Sequence, residues 1–334
     1  MKDIADDLNV SVVTVSKVLR NEGDISAATR ERVLKRAEEL NYQPNWVARS
    51  LVTRRTYIIG LVVPDLMHSF FAEVAKGVTS RVRPAGYSVV IANSEEDPEL
   101  EAREVELLMA RQVDGLLIAS CQPQSNTSIF KRINELKVPY VLMDRDFDSL
   151  DANYVGVRNE DLGFAATKHL IEQGFKRIAH IRGPQLTTGV GRWRGYTAAL
   201  HQQGLKVPAR YVVEGESDDV SGYAAMKKLL ALEPRPDAVF CFNDPVAMGA
   251  IRAIKEAGLH IPGDIAIVGA GNVRYSDLLQ VPLSTIDQGS SLMGQHAADL
   301  LLELIGAKRP HKPKRVLMTP RLINRESSMR LPGH

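Results

Sequence analysis

Near the N-terminus, Asn9-Val10-Ser11-Val12-Val13-Thr14-Val15-Ser16-Lys17-Val18-Leu19 collects residue types that can read the edges of base pairs. Val12 and Val13 can offer only apolar contact, for which a thymine methyl is the natural partner. Lys17 can donate to guanine O6 or N7, with less directionality than a forked arginine. Thr14 and Ser16 suit phosphate oxygens. This chemistry requires a helix that turns these side chains outward while its other face is buried, and the spacing predicts one. Val15, Val18 and Leu19 fall at i, i+3 and i+4, and Ser11 is placed to cap the helix start. Ahead of it, Ile4, Ala5 and Leu8 form the apolar face of a shorter helix, with Asn9-Val10 as the turn between. A third amphipathic stretch runs from Ser26 to Leu40, with Val33, Leu34, Ala37 and Leu40 expected inward. Three short helices with the second exposed is the arrangement that presents side chains to the major groove. The plain alternative is an ordinary three-helix core fragment.

Further along, Pro44 to Thr53 reads as a short helix started by proline, with Val47, Ala48 and Leu51 on one side. Arg49, Arg54 and Arg55 cluster beside it and suit phosphate contacts. The chain has 334 residues and a net charge of +2. Ten Lys/Arg against eight Asp/Glu lie in residues 1–56, leaving 32 of the 42 basic and 32 of the 40 acidic residues elsewhere. The whole excess is therefore in the head, a weak electrostatic footprint. Cys121 and Cys241 are far apart and suit reduced thiols in a cytosol rather than a disulfide framework. The polar start gives no sign of a signal peptide, and no apolar run approaches a membrane span, so the expected location is cytoplasmic.

From Thr56 onward, β-branched apolar runs alternate with amphipathic stretches. Strands are predicted at 58–63, 88–92, 115–119, 140–143, 178–181, 239–242 and 265–268. Helices are predicted at 70–85, 99–111, 129–136, 162–173, 194–203, 222–231, 246–257 and 292–305. That alternation gives an α/β chain of parallel sheets flanked by helices, and there is too much of it for one ordinary sheet. Ligands of such sheets sit beyond the carboxyl ends of the strands. No P-loop, zinc-ligand spacing or Gly-x-Ser-x-Gly elbow is present. Gly269-Ala270-Gly271 lacks the third glycine and helix start of a dinucleotide cradle. The histidines, among them His68, His169 and His180, show no metal-ligand spacing. Neither an enzyme nor a metal or cofactor site is expected.

Several runs carry a family resemblance. Lys2-Asp3-Ile4-Ala5, Thr14 to Leu19 and Asn41-Tyr42-Gln43-Pro44-Asn45-Trp46-Val47-Ala48-Arg49-Ser50-Leu51 resemble the DNA-binding head and linker of the lactose/galactose repressor family. Ile59 to Pro64, Asp114-Gly115-Leu116-Leu117, Asn243-Asp244 with Ala247 and Gly249, and Leu283 to Gln288 continue the resemblance in the family's order. It implies a helix-turn-helix head (1–43), a hinge helix and linker (44–55), and a periplasmic-binding-protein-like effector and dimerisation core (56–334). The core would have an N-lobe of about 56–156 plus 289–319 and a C-lobe of about 157–288 plus 320–334, crossed near Val157, Gln288 and Pro320. Asn45, Ala48 and Arg49 would lie at the DNA, with Leu51 wedged into the minor groove. Ligand-facing positions would be Phe70, Phe71, Cys121, Asp144, Arg145, Arg158, Thr188, Arg192, Phe242, Asn243 and Gly271. Arg192 and Asn243 match the family's polar anchors. Gly271 and Arg158 stand where the family often has acids, and with Arg145 and Arg192 they point to an anionic effector, a sugar acid or sugar phosphate. The competing picture is a neutral sugar, with Arg158 paired to Glu160 or Asp161. The reading is a homodimeric transcriptional regulator, a repressor, on a roughly palindromic operator. The alternative is a solute-binding protein of a transport system. No heptad tail follows Arg325, so no coiled-coil tetramer is expected.

Overall fold

The computed structural model describes residues 1–19, 23–42, 50, 55–307, 309 and 312–330. These group into two compact units, Met1–Thr56 and Tyr57–His334.

In the first unit, α1 (Lys2–Leu8) ends on Asn9 in the left-handed conformation, φ 52°. This conformation is one that asparagine tolerates, and it lets the Val10 N–H return to the Ala5 carbonyl. Ser11 then caps α2 (Val12–Leu19), its Oγ accepting from the Thr14 N–H at 3.0 Å. Ser26 does the same for α3 (Ala27–Glu39). Ile4, Ala5, Val15, Val18, Val33 and Ala37 make the core. Leu34 and Leu40 do not join it; both are exposed. Leu8, Val10, Ile25 and Tyr42 pack around the edge of that small core, so the inward stripe of α3 is narrower than its sequence suggests. Arg36 holds α3 to α1 through Asp7, and Arg32 donates to the Leu8 carbonyl.

The second unit carries two six-stranded sheets. The strands of the first sheet are β1 (Ile58–Val63), β2 (Ser88–Asn93), β3 (Gly115–Ile118), β4 (Tyr140–Met143), β5 (Tyr154–Val157) and β11 (Arg315–Met318). Their order is β11-β5-β4-β3-β1-β2, all parallel. The second sheet is formed by β6 (Ile178–Arg182), β7 (Val212–Glu214), β8 (Ala238–Cys241), β9 (Ala266–Ala270), β10 (Ser284–Asp287) and β12 (Arg321–Ile323). Its order is β12-β10-β9-β8-β6-β7, with β12 alone antiparallel. The chain passes between sheets after Val157, after Asp287 and between Met318 and Arg321.

The sheets are flanked by α4 (Ser69–Val82), α5 (Pro98–Ala110), α6 (Ser128–Glu135), α7 (Asn159–Glu172), α8 (Thr187–Gln202), α9 (Asp219–Leu230), α10 (Asp244–Glu256) and α11 (Ser290–Gly306). The inner strands bury both faces, as parallel strands under helices must, whereas the edge strands β2, β7, β11 and β12 stay partly exposed. Three helix pairs, α4 with α11, α7 with α8 and α9 with α10, approach through facing glycines. A methyl on Gly77 would strike the Ser291 carbonyl, one on Gly163 the Arg192 carbonyl and one on Gly222 the Val246 carbonyl. α7 to α10 each begin two to seven residues earlier than the apolar periodicity suggests. The extra turns carry polar and glycine residues at the carboxyl ends of the strands, where the cleft lies.

Candidate functional sites: an exposed helix and a cleft

On α2, burial of Val15 and Val18 leaves Val12 and Val13 in solvent, Val13 at 62% of its full exposure. Lys17 is not an isolated cation: its Nζ lies 2.7 Å from Asp24 Oδ2, and this contact holds the Asp24 carboxyl below its ordinary pKa. The Thr14 hydroxyl bonds Ser11 Oγ at 2.8 Å, and Ser16 lies on the same helix. Asn45, Ala48, Arg49 and Leu51 fall outside the described residues.

The second site lies between the lobes, at the carboxyl ends of the strands. His68 caps α4, its Nδ1 accepting from the Phe70 N–H at 3.2 Å. Phe70 and Phe71 follow it edge to face, centroids 5.1 Å apart. Burial, and then the charges of Arg145 and Arg192, push the His68 pKa down to about 4. Its ring is therefore neutral near pH 7. From the second sheet come Phe242, just past β8, and Asn243, which caps α10 by accepting from the Val246 N–H at 2.9 Å. The Asn243 Nδ2 donates to the Ser217 carbonyl at 2.8 Å, so its amide is held on both sides. Gly183 leaves the room that the Phe242 ring fills.

Arg192, on α8, is buried and fully engaged. It donates to the Phe242 carbonyl at 2.7 Å, Gln288 Oε1 at 2.9 Å and Asn159 Oδ1 at 3.1 Å, and its guanidinium stacks 4.6 Å from the Phe242 ring centre. Burial lowers its pKa to about 10, so it stays charged at neutral pH. Arg145 is likewise buried and forks onto Glu96 at 2.6 and 2.5 Å. Burial alone would raise the Glu96 pKa, but the Arg145 hydrogen bonds and charge outweigh it and hold the carboxyl low. Asp144 has a left-handed backbone, φ 60°, and burial pushes its carboxyl pKa up against the pull of Arg192 and Arg145.

The cavity is lined by Asp65, His68, Phe70, Phe71, Glu96, Asp144, Arg145, Thr188, Arg192, Ser217, Phe242, Asn243, Ala270 and Gln288, and its free volume is about 30 Å³. That is room for a water or two, and a sugar would require the lobes to part. Ser217 Oγ donates across the cleft to Glu96 at 3.1 Å, and the Asp146 N–H donates to Thr187 Oγ1 at 3.1 Å. Asp144 Oδ1, Arg145 Nε and Thr188 Oγ1 are buried without a hydrogen-bond partner among the described residues.

Eight of the eleven expected positions thus meet at one cavity, and three lie elsewhere. Arg158 is 66% exposed, 3.9 Å from Asp161, in a different crevice with Arg194 and Arg315. Its place at the start of α7 turns it toward the acids of that helix's first turn. Cys121 sits beneath the first sheet's end: its N–H donates to the buried Glu101 at 2.5 Å, its Sγ lies 3.6 Å from Ser94 Oγ, and burial pushes the thiol up to about 12. Gly271 points its N–H at the Ile286 carbonyl and does not line the cavity, although Ala270 beside it does. The three arginines expected to greet an anion are therefore not assembled: Arg158 is absent, Arg192 is committed, and Arg145 has a carboxylate in its fork. Periodicity did not mark Asp65, His68, Glu96 or Ser217, because loop residues carry none; His68 next to Phe70 and the Glu95-Glu96 pair were the available signals. Among the described residues, no group of three or more His, Cys, Asp or Glu could hold a metal ion, and no helix is long and apolar enough to cross a membrane.

A helix-turn-helix head followed by two parallel-sheet lobes around a cleft defines a ligand-responsive DNA-binding protein. Residues 1–45 match the pattern of "Bacterial regulatory proteins, lacI family", and residues 56–326 that of "Periplasmic binding proteins and sugar binding domain of LacI family". The HTH-type transcriptional repressor PurR of Pasteurella multocida is 36% identical, with 98% of each chain covered. PurR of Haemophilus influenzae is also 36% identical at 98% coverage of each. Among solved structures, the Lac repressor dimer bound to operator and the anti-inducer ONPF superposes with a TM-score of 0.86 at 29% identity, covering 98% of each chain. The CelR–cellobiose complex gives 0.75 at 32% identity, covering 97% and 98%. The chain belongs to the LacI family of bacterial regulatory proteins and is a DNA-binding transcriptional regulator.

Proposed function

We propose that the chain is a cytoplasmic, homodimeric repressor that binds a roughly palindromic operator and is controlled by a sugar-like, hydroxyl-rich molecule between its lobes. In this reading residues 1–43 read bases through Val12, Val13 and Lys17, with Thr14 and Ser16 on phosphates. Residues 44–55 form a hinge in which Asn45, Ala48 and Arg49 meet DNA and Leu51 wedges a minor-groove step. One head contacts too few bases for useful specificity, and a dimer doubles the set over two half-sites. The relatives support the assembly: the Lac repressor is a dimer on its operator, and CelR holds cellobiose.

The observation that carries the effector reading is the cavity's own chemistry. Aromatic walls at Phe70, Phe71 and Phe242 suit a sugar ring, and the orphaned Asp144 Oδ1, Arg145 Nε and Thr188 Oγ1 ask for a ligand that both donates and accepts. A ligand-driven change in lobe closure would shift how paired hinges fold on DNA. The reading assigns no catalysis to the cleft: His68 is kept neutral by burial with its Nδ1 taken by a backbone N–H, and Arg192 and Asn243 are fixed by structural bonds. Thermal-shift and calorimetric screening of mono- and disaccharides, with and without operator, tests it. A saturable shift lost in Phe242→Ala and changed by operator supports the reading, and no response to any sugar counts against it.

A further inference from the structure

Among the described residues, Glu96 is the one acidic side chain that both lines the cavity and hydrogen-bonds across the two lobes. It follows β2 in a left-handed turn, φ 57°, with its N–H bonded to the Pro64 carbonyl at 3.0 Å. Its carboxylate takes both terminal nitrogens of Arg145, from its own lobe, and accepts from Ser217 Oγ of the other. We propose that Glu96 is the residue that sets which ligand charge the cleft accepts: it fills the Arg145 fork as a built-in carboxylate, excludes anions and helps hold the lobes together. This rests on the cleft being the effector site.

A guanidinium fork is matched to a carboxylate and binds it bidentately. In this cleft the fork is already occupied from within. An anionic ligand would have to expel Glu96, giving up two charge-assisted bonds and the Ser217 bridge, or lie beside Glu96, Asp65 and Asp144 together. The cavity's formal charges are two guanidiniums, Arg145 and Arg192, against those three carboxyl groups, with His68 neutral. A ligand hydroxyl meets none of this opposition, because it can donate to Asp144 Oδ1 and accept from Arg145 Nε, two of the three cavity atoms left without a partner among the described residues. Glu96 therefore converts an arginine-bearing cleft into one for uncharged polyols. Its removal leaves a buried, preorganised carboxylate receptor.

The test uses the full-length protein as wild type, Glu96→Gln and Glu96→Ala, and as the double variant Glu96→Ala/Arg145→Met. Unfolding temperature is read in acetate and in acetamide at matched ionic strength, and gluconate is compared with glucose by calorimetry. Glu96→Ala should gain several degrees in acetate, saturably and not in acetamide, while wild type and the double variant gain none. Glu96→Gln keeps the side-chain volume if the alanine variant folds poorly, and should bind gluconate at least tenfold more tightly than wild type does. Equal acetate effects on all variants, no gain of anion binding in either single variant, or wild-type binding of gluconate as tight as that of Glu96→Gln would overturn the proposal. Failure of the effector reading shows separately, as wild-type indifference to every neutral sugar, since acetate rescue reports on the Arg145 fork whatever enters the cleft.

Discussion

Arg192 offers the most quantitative check on the cleft. Replacing it with Met keeps much of the stem's volume and removes the guanidinium. Three hydrogen bonds to a charged group go with it, each worth about 1.5–3 kcal/mol, so the gross loss is about 6 kcal/mol. The Gln288 and Asn159 side chains can turn to other partners, but the Phe242 carbonyl is main chain and stays where it is. Against the loss stands relief from burying a charge. The fall in pKa to about 10 corresponds to about 3 kcal/mol. The net destabilisation is then about 2–4 kcal/mol, or about 5–12 °C in unfolding temperature for a unit of this size. Arg192→Lys should fall between, because one ammonium cannot reach three divergent acceptors or stack flat on Phe242. Calorimetry and urea denaturation of the isolated variants read the loss, and the same variants should lose the sugar response. An Arg192→Met protein unfolding within 1 °C of wild type would show that the three bonds carry no net stability, and the picture of a preformed polar anchor would fail.

Further outcomes follow from the same structure. Gly163→Ala puts a methyl on the Arg192 carbonyl and should cost about 1–3 kcal/mol by forcing α7 from α8, whereas Gly306→Ala, which meets nothing within 4 Å, should leave the urea midpoint unmoved. His68 and His180 both have depressed pKa values, about 4 and about 3, chiefly from burial. Because the unfolded chain takes up those protons near 6.5, stability should be full above pH 6.5 and fall as the pH drops toward 4. His180 stacks 4.7 Å from Phe240; His180→Gln should flatten that acid slope in pH-dependent melts, and an unchanged slope would reject the assignment. Lys17→Ala should relax base preference at one position per half-site in a binding-site selection, and selection of the same bases as wild type would reject that role.

How much of this could be read from the sequence depends on what each residue does. The helices of the head and core announced themselves through apolar spacing, because Val15 with Val18, or Val246 with Ala250 and Ala253, must face a core. Strands Tyr154–Val157, Val212–Glu214, Ser284–Asp287, Arg315–Met318 and Arg321–Ile323 went unpredicted by periodicity, being only three or four residues long, and the second, fourth and fifth are also sheet edges. Within the cleft, Phe70, Phe242, Asn243 and Arg192 were legible through family resemblance, since they sit on or beside regular elements whose register is fixed. Glu96 and Ser217 were not, because loops place them and only the folded chain shows that a carboxylate reaches Arg145. Arg158 misled for a related reason: the resemblance gives its position at the start of α7 but not the direction of its side chain, which lies toward Asp161 in the other crevice.

The measurement that bears most directly on the central claim is selection of binding sites from a random duplex library by the full-length protein, repeated with Val12→Ala/Val13→Ala and in the presence of a cleft ligand found by the sugar screen. An enriched inverted repeat is expected, with base preferences that weaken in the double variant and an occupancy that changes with the ligand. Enrichment of no sequence, or of one that neither the α2 variant nor the ligand affects, would contradict that claim.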